Sequence, residues 1–198
     1  YKKMLKVLEK IIKKSKYQFE FVDLGGGMGI SYDNSKKRLN FKKYSALIKK
    51  FLKKQKCQII FEPGRSIIGN SGILISKVIY IKESSKKDFV ILDVAMNDFM
   101  RPALYNAIHK IIPVKKSIKK SKKNYEFVGP ICESTDKFAL FKNFQKLKEK
   151  ELVIILDVGA YGMSLSSNYN LRPKATELLI KNSKIKIISK RQKLKDLI

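Results

Sequence analysis

The sequence is poor in the residues that build metal sites and disulfide frameworks. It contains one histidine, His109, and two cysteines, Cys57 and Cys132. A single histidine cannot support a His-rich metal site, and no spacing of cysteine or histidine indicates zinc. Two cysteines do not form a disulfide framework in a chain of 198 residues, so we expect a protein of the reducing cytoplasm.

Long apolar runs are also missing. No stretch of 18 apolar residues occurs, so we expect neither a transmembrane helix nor a membrane partner. The chain begins at Tyr1 instead of a methionine, and its first residues lack the apolar stretch and small-residue cleavage site of a signal peptide. They have the pattern of a helix already under way. We therefore expect the chain to begin partway through a larger protein.

Acidic residues and arginine are scarce. Asp and Glu number 17 against 44 Lys and Arg, which gives a formal net charge of +27 and raises the question of nucleic-acid binding. Only five of these cations are arginine, whose two-pronged guanidinium is the usual reader of bases and phosphates. The lysines show no single face or stripe. We expect weak, salt-sensitive association with polyanions and no specific nucleic-acid partner.

The first third of the chain alternates between two kinds of periodicity. Apolar residues at helical spacing predict helices over 1–16 and 40–54, and β-rich runs predict strands over 19–24 and 57–61. An alternation of helix and strand is typical of a parallel α/β sheet or barrel. We assign this architecture to residues 1–72.

The pattern becomes β-rich after Gly72. Strands are predicted over 73–81, 89–94, 125–128 and 152–158. A short helix is predicted over 101–111, and two Lys-rich runs, 115–124 and 142–150, are either connectors or exposed helices. We expect residues 73–198 to form a separate, mostly antiparallel β domain.

Three glycines follow the first predicted strand. Gly25, Gly26 and Gly27 have no Cβ, so their backbone N–H groups can crowd around an anion. The functional interpretation is a cradle for a phosphate group. The alternative is an ordinary flexible turn.

A charged turn ends the second predicted strand. It contains Glu62, Pro63, Gly64 and Arg65 at the edge of the sheet where parallel α/β folds bind ligands. Glu62 can hold a protonated ring nitrogen of a cofactor, and Arg65 can bind a phosphate or a carboxylate. The alternative is that the two charges only pair with each other.

Three further positions in the β-rich part carry chemistry. Arg101 and Tyr105 are four residues apart, so on a helix they share a face and can jointly bind a carboxylate. The alternative is a surface arginine and a packed tyrosine. Tyr161 lies between small residues that would expose its ring.

The turn 129–136 places a thiol next to acids. Cys132 can act as a proton donor or a nucleophile, and the neighbouring Glu133 favours the donor because it keeps the thiol protonated. The alternative is a half-buried structural cysteine.

Taken in this order, these blocks resemble the C-terminal half of the diaminopimelate decarboxylases. That family uses pyridoxal 5'-phosphate, belongs to the alanine-racemase-like (fold-type III) enzymes and is related to ornithine and arginine decarboxylases. The resemblance extends from about Phe21 to Lys174. It implies the C-terminal part of a (β/α)8 barrel that binds pyridoxal phosphate, followed by a β domain.

The resemblance also implies roles for the residues. It places Gly25, Gly26 and Gly27 at the cofactor phosphate, and Glu62 at the pyridine nitrogen within a cofactor-binding turn that includes Pro63, Gly64 and Arg65. Cys132 would protonate the substrate carbon. The residues implied to contact substrate are Arg65, Arg101, Tyr105, Glu133 and Tyr161, of which Glu133 would bind the distal amino group and Tyr161 would also contact the cofactor.

The implied reaction is decarboxylation of meso-2,6-diaminopimelate to L-lysine and carbon dioxide by a homodimer with shared active sites. The Cys-Glu pair favours diaminopimelate, since ornithine-type relatives tend to carry Cys-Asp. An ornithine or arginine decarboxylase, or a non-catalytic basic binding protein on the same scaffold, remains an alternative. The family's Schiff-base lysine has no counterpart here, so we expect this chain alone to be inactive.

Overall fold

The computed structural model describes residues 1–32 and 39–198. The chain divides into two compact units, Tyr1–Ile68 and Gly69–Ile198. The division lies a few residues before the boundary expected after residue 72.

The first unit alternates helices and strands. Its elements are α1 (Lys2–Ser15), β1 (Phe21–Asp23), α2 (Phe41–Gln55), β2 (Gln58–Ile60) and α3 (Gly64–Ile68). Strands β1 and β2 pair in parallel, with Phe21 opposite Gln58 and Asp23 opposite Ile60. The two helices and two strands predicted from periodicity are confirmed to within a few residues. The short helix α3 was not predicted.

Apolar spacing explains why α2 is a helix with a buried face. Tyr44, Ile48 and Phe51 recur every three to four residues and are buried, whereas the lysines between them are exposed. The Asn40 side chain accepts a hydrogen bond from the Lys43 backbone N–H at 3.0 Å and caps the start of the helix. Lys56 ends it in the left-handed conformation, with φ of 48°.

The second unit is built on a mixed six-stranded sheet. Its strands lie in the order β5-β8-β3-β4-β6-β7, and all neighbours are antiparallel except β4 and β6. Its elements are β3 (Ile73–Lys82), β4 (Lys87–Leu92), α4 (Arg101–Tyr105), β5 (Ile111–Pro113), β6 (Asn124–Val128), β7 (Lys137–Phe141), β8 (Leu152–Leu156), β9 (Glu177–Lys181) and β10 (Lys184–Ser189). Strands β9 and β10 form a separate antiparallel hairpin.

One face of this sheet carries the core of the unit. Burial alternates along the central strands, as expected when successive side chains point to opposite faces. Phe127 is fully buried, and its ring centre lies 5.7 Å from that of Phe141 and 5.1 Å from that of Phe144. These rings fix the end of the sheet that holds β6 and β7.

The helix predicted over 101–111 is shorter than expected. It ends at Tyr105 because Asn106 adopts the left-handed conformation, with φ of 50°, and donates its backbone N–H to the Arg101 carbonyl. Residues Ile111–Pro113 pair with β8 instead. The prediction was therefore wrong beyond Tyr105.

The two Lys-rich runs of the second unit are connectors. They lie side by side, with a bridge between Lys120 and Gln145. The Gln145 side chain accepts from the Ser117 backbone N–H at 2.9 Å and donates to the Lys115 carbonyl at 2.7 Å. The buried side-chain amide of Gln145 thus links the two Lys-rich runs, which show no apolar periodicity in the sequence. Strands β5, β7, β9 and β10 were not predicted.

Among the helices in the described residues, none combines the length and the apolar character needed to cross a bilayer.

Candidate functional site

The ends of the two parallel strands in the first unit carry the predicted phosphate cradle. Because β1 and β2 run in the same direction, the loops that follow them leave from one edge. The Glu62 backbone N–H donates to the Gly25 carbonyl at 3.0 Å, directly after the Leu24 N–H donates to Ile60 at 3.0 Å. The structure therefore brings the glycine turn and the Glu62 turn together.

Glycine is required in this turn for two separate reasons. Gly25 and Gly27 have φ of +62° and +73°, a region that residues with a Cβ rarely adopt. A Cβ on Gly26 would lie 2.5 Å from the Glu62 carbonyl oxygen. The Asp23 carboxylate further fixes the turn by accepting from the Gly25 N–H at 2.7 Å. The glycines thus form a turn with a defined backbone geometry, and their role as a phosphate cradle stays a prediction.

The Glu62 turn leads straight into α3. The Pro63 carbonyl accepts from the Ile67 N–H at 3.2 Å and from the Ser66 hydroxyl at 2.9 Å, which closes the first turn of that helix. The Glu62 carbonyl accepts from the Gly64 N–H at 2.9 Å. Glu62 is exposed and Arg65 is half-buried. The Glu62 carboxylate and the Arg65 guanidinium are thereby held in the turn whose backbone is hydrogen-bonded to the glycine turn.

In the second unit, Arg101 lies between two tyrosine rings. Its guanidinium carbon is 6.0 Å from the ring centre of Tyr105 and 5.7 Å from that of Tyr161. Arg101 is only 5% exposed, whereas Tyr105 is 62% and Tyr161 46% exposed. The alternative of a surface arginine and a packed tyrosine is therefore wrong, since the burial is the reverse. A cation flanked by ring faces and ring hydroxyls suits a carboxylate ligand.

A strained backbone conformation sets the direction in which the Tyr161 ring projects. Tyr161 has φ of 62°, in the left-handed region where a bulky residue is uncommon. Its neighbours Ala160 and Gly162 are buried, and Gly162 packs so closely on the Val158 carbonyl that a Cβ would not fit. The small residues noted in the sequence thus anchor the turn, and the ring projects outwards as predicted.

His109 is a site residue that sequence reasoning missed. It is 2% exposed, and its Nε2 lies 3.3 Å from the Arg101 Nε. The ring also packs edge-on against Phe99, with ring centres 4.6 Å apart. A helical pattern could not have revealed the contact, because α4 ends between Arg101 and His109.

The turn that carries Cys132 and Glu133 is exposed. Both side chains face solvent, while the neighbouring Ile131 is 8% exposed and anchors the turn in the unit. The Glu133 N–H donates to the Ile131 carbonyl at 2.8 Å. The alternative of a half-buried structural cysteine is wrong, because an exposed thiol has little packing role.

One buried carboxylate connects this turn to the loop that leads into α4. Asp136 is 3% exposed and accepts from the Ile131 N–H at 2.8 Å and from the Met96 N–H at 2.7 Å. Burial raises the pKa of Asp136 above its ordinary value, although both backbone hydrogen bonds act in the opposite direction. Gly129 lies against the same carboxylate and leaves no room for a Cβ. The cysteine turn and the arginine loop are therefore positioned together.

Arg172 holds the other side of the loop. Its Nε donates to the Asn97 side-chain oxygen at 2.9 Å, and a terminal nitrogen donates to the Asp93 carbonyl at 2.6 Å. The same side chain lies 3.6 Å from Asp98, whose pKa is nevertheless raised because burial outweighs the attraction. Asn97 is fully buried and also donates to the Ser167 carbonyl at 3.3 Å. Arg172 thus has a structural role in shaping the loop.

The predicted site residues therefore fall into two sets. The three glycines, Glu62, Pro63, Gly64 and Arg65 lie in the first unit, and Arg101, Tyr105, Cys132, Glu133 and Tyr161 lie in the second. Across the described ranges, no group of three or more His, Cys, Asp and Glu side chains is arranged to hold a metal ion.

Residues 10–159 match a known family model. The model is described as the C-terminal sheet domain of pyridoxal-dependent decarboxylases. Two curated relatives are named diaminopimelate decarboxylase: that of Aquifex aeolicus is 42% identical over 190 residues, and that of Zymomonas mobilis is 43% identical over 189. The alignments cover 96% and 94% of this chain but only 45% and 44% of the relatives, so the chain spans less than half of their length.

Solved structures agree with this match. The diaminopimelate decarboxylase from Helicobacter pylori in complex with L-lysine has a TM-score of 0.83 and 40% identity, over 99% of this chain and 48% of that one. The corresponding enzyme from M. jannaschii has a TM-score of 0.88 and 34% identity, over 98% and 46%. A lysine/ornithine decarboxylase from Vibrio vulnificus, at 21% identity and a TM-score of 0.72, shares the fold. The resemblance found in the sequence motifs is confirmed.

The raised pKa of Asp136 predicts a pH dependence of stability. The folded protein holds this proton at pH values where the unfolded chain has released it. The contribution is therefore fully present below pH 3.8, the ordinary value, and is lost as pH rises through the raised pKa. Asp136→Asn cannot titrate and should cost about 1–3 kcal/mol at pH 7, because one backbone donor loses its acceptor. The stability difference between wild type and variant should shrink as pH rises from 3.8.

Denaturant unfolding at a series of pH values measures this difference. Glu149→Gln, a change at an exposed position of the same unit, is the matched control and should leave stability unchanged at every pH. A difference between wild type and Asp136→Asn that stays constant or grows with pH would contradict the assignment.

Proposed function

Because the chain belongs to the pyridoxal-dependent decarboxylase family and carries its C-terminal sheet domain, we propose that the complete protein decarboxylates meso-2,6-diaminopimelate to L-lysine and carbon dioxide. The observation that carries the proposal is the buried Arg101 between two exposed tyrosine rings, beside a loop that one carboxylate ties to the Cys132 turn. The names of relatives at 42% and 43% identity support the same substrate.

The first unit fits the phosphate end of the cofactor. Gly25, Gly26 and Gly27 form a turn without side chains, in which Gly26 and Gly27 would offer backbone N–H groups to a phosphate while the Gly25 N–H is held by Asp23. Glu62, in the adjoining turn, would accept a hydrogen bond from the ring nitrogen and keep it protonated. Pro63 and Gly64 shape that turn. When bound, pyridoxal phosphate supplies a conjugated ring that accepts the electron pair released as carbon dioxide leaves.

The substrate has two carboxylates and two ammonium groups, and the chain offers partners for both charges. Arg65 and Arg101 would bind the carboxylates, with the Tyr105 hydroxyl as a second donor beside Arg101. Glu133 would accept from the distal ammonium. Tyr161 would contact the substrate and the cofactor from the other side of Arg101. Ornithine has one carboxylate where diaminopimelate has two, so the two proposed carboxylate-binding arginines, Arg65 and Arg101, favour diaminopimelate.

Cys132 would complete the reaction. Cleavage of the bond to the carboxylate leaves an electron pair at the substrate carbon, and the Cys132 thiol would deliver the proton that forms the new C–H bond. The resulting thiolate would regain a proton from solvent, which its exposed position permits.

The finer architecture follows from the same proposal. Residues 1–72 would be the last part of a (β/α)8 barrel, and residues 73–198 its C-terminal β domain. The missing part of the barrel would supply the Schiff-base lysine. The exposed Cys132 turn would reach into the active site of a partner subunit, which makes the enzyme a homodimer with shared sites. We further propose a cytoplasmic location and no specific nucleic-acid partner.

The proposal is tested by turnover of the complete protein on diaminopimelate and on ornithine. Release of carbon dioxide and L-lysine should be at least about a hundredfold more efficient than turnover of ornithine, because ornithine lacks the second carboxylate that the proposed site would bind. The 198-residue chain alone should be inactive. A preference for ornithine would overturn the substrate assignment. The absence of both activities would overturn the assignment of the protein as a decarboxylase.

Cofactor affinity tests the glycine cradle. Gly26→Ala should weaken pyridoxal phosphate binding by about tenfold or more, because its Cβ would push against the Glu62 carbonyl and separate the two turns. Gly29→Ala is the matched control, since nothing lies within 4 Å of its Cβ position. Titration of the cofactor absorbance measures both. Equal cofactor affinities in Gly26→Ala and Gly29→Ala would show that the glycine turn does not bind the cofactor phosphate.

Replacement of Cys132 tests the proton donor. Cys132→Ala should reduce kcat by about 100-fold or more while cofactor absorbance persists, because only proton delivery is lost. Cys57→Ala, at the other free thiol, lies in the packed interior of the first unit and should leave kcat within about twofold once folded. Unchanged turnover in Cys132→Ala would exclude this thiol from the mechanism.

A further inference from the structure

The two ring nitrogens of His109 make different polar contacts: one contact requires a hydrogen-bond donor and the other requires an acceptor. Its Nδ1 lies 2.9 Å from the Leu156 carbonyl oxygen, and its Nε2 lies 3.3 Å from the Arg101 Nε. The carbonyl can only accept a hydrogen bond, so Nδ1 carries the proton. The arginine Nε–H can only donate, so Nε2 must offer its lone pair. Both contacts are satisfied together in one state, the neutral imidazole protonated at Nδ1.

The ring itself is fixed by the sheet. His109 precedes β5, whose Ile111 pairs with Ile155 of β8, and the Lys110 carbonyl accepts from the Leu156 N–H at 2.9 Å. Phe99 packs edge-on against the imidazole at 85°. A side chain held by two strands and an aromatic edge has little freedom to rotate. His109 is therefore a rigid support, and Arg101 rests on it.

The contact sets the orientation of the guanidinium plane. Arg101 is 5% exposed, and the Tyr105 and Tyr161 rings flank it. The hydrogen bond from Nε to His109 fixes one edge of the guanidinium plane, and the two tyrosine rings limit its movement on its faces. His109 supplies the acceptor that orients the guanidinium through its Nε–H. A carboxylate that arrives at the site therefore meets an arginine whose plane is already positioned.

We propose that His109 is a positioning residue for the substrate carboxylate, acting through Arg101. The inference rests on the proposed function, in which Arg101 binds a carboxylate of diaminopimelate. It predicts that loss of the Nε2 acceptor weakens ligands that carry this carboxylate and spares ligands that lack it. A purely structural role would instead affect both classes alike.

Two substitutions separate the contacts. His109→Asn keeps a polar atom near the Nδ1 position, where it can still donate to Leu156, but it does not reach Arg101. His109→Gln is one methylene longer and places an amide acceptor near the Nε2 position. Both variants lose the aromatic edge against Phe99, so packing losses are matched between them. His109→Asn therefore keeps the Leu156 contact and loses the Arg101 contact, and His109→Gln does the reverse.

The readout is ligand binding to the complete, cofactor-loaded protein by calorimetry. L-Lysine carries a carboxylate and cadaverine is the same amine without it. His109→Asn should raise the Kd for L-lysine by about tenfold, the effect of one hydrogen bond to a charged group, and leave the Kd for cadaverine within about twofold. His109→Gln should bind L-lysine within about threefold of wild type. In turnover, the Asn variant should raise KM for diaminopimelate with kcat per loaded site nearly unchanged.

The outcomes are distinct. Equal weakening of L-lysine and cadaverine, unchanged L-lysine affinity in His109→Asn, or failure of both variants to fold would each overturn the positioning role. A wild-type protein that neither binds L-lysine nor decarboxylates diaminopimelate would refute the proposed function itself. A wild-type protein that does both, with an Asn variant that matches it, would refute only the role of His109.

Discussion

The geometry of the second unit depends on one buried carboxylate that serves two loops. Asp136 accepts the Ile131 and Met96 backbone N–H groups at 2.8 and 2.7 Å, and so fixes the Cys132 turn relative to the loop that enters α4. Burial disfavours the charge that those donors stabilise, and the raised pKa shows that burial is the stronger effect. The protein keeps an electrostatically unfavourable group where its geometry is needed, as functional sites commonly do.

Arg101 and Arg172 have different surroundings in this unit. Arg172 lies 3.6 Å from Asp98 and donates to the loop backbone and to Asn97. Arg101 donates to a buried imidazole and lies against two tyrosine rings. Two arginines from one lysine-rich sequence thus have different partners, and we assign the first to the scaffold and the second to the proposed site.

Sequence reasoning succeeded where a local pattern reports a local structure. The spacing of apolar residues such as Tyr44, Ile48 and Phe51 predicts α2, and the three glycines follow a strand as the apolar run before them predicts. The order of the motifs along the chain is sufficient to identify the family. These features need only neighbours within a few residues of each other.

It failed where the decisive neighbour is distant in sequence. His109 meets Arg101 only because the helix stops at Asn106 and β5 turns back along β8. The burial of Arg101 and the exposure of Tyr105 reverse what their residue types favour. Strands β9 and β10 expose their leucines and isoleucines, so their pattern contains no buried face to detect.

The long crossover between β4 and its parallel neighbour β6 has a consequence for biogenesis. Both α4 and β5 lie within this connection, and β8, the strand that pairs with β5, is made some fifty residues after Arg101. During synthesis Arg101 and His109 therefore emerge from the ribosome well before the Leu156 carbonyl that contacts the imidazole. The nascent chain can hold His109 in place only once β8 has joined the sheet.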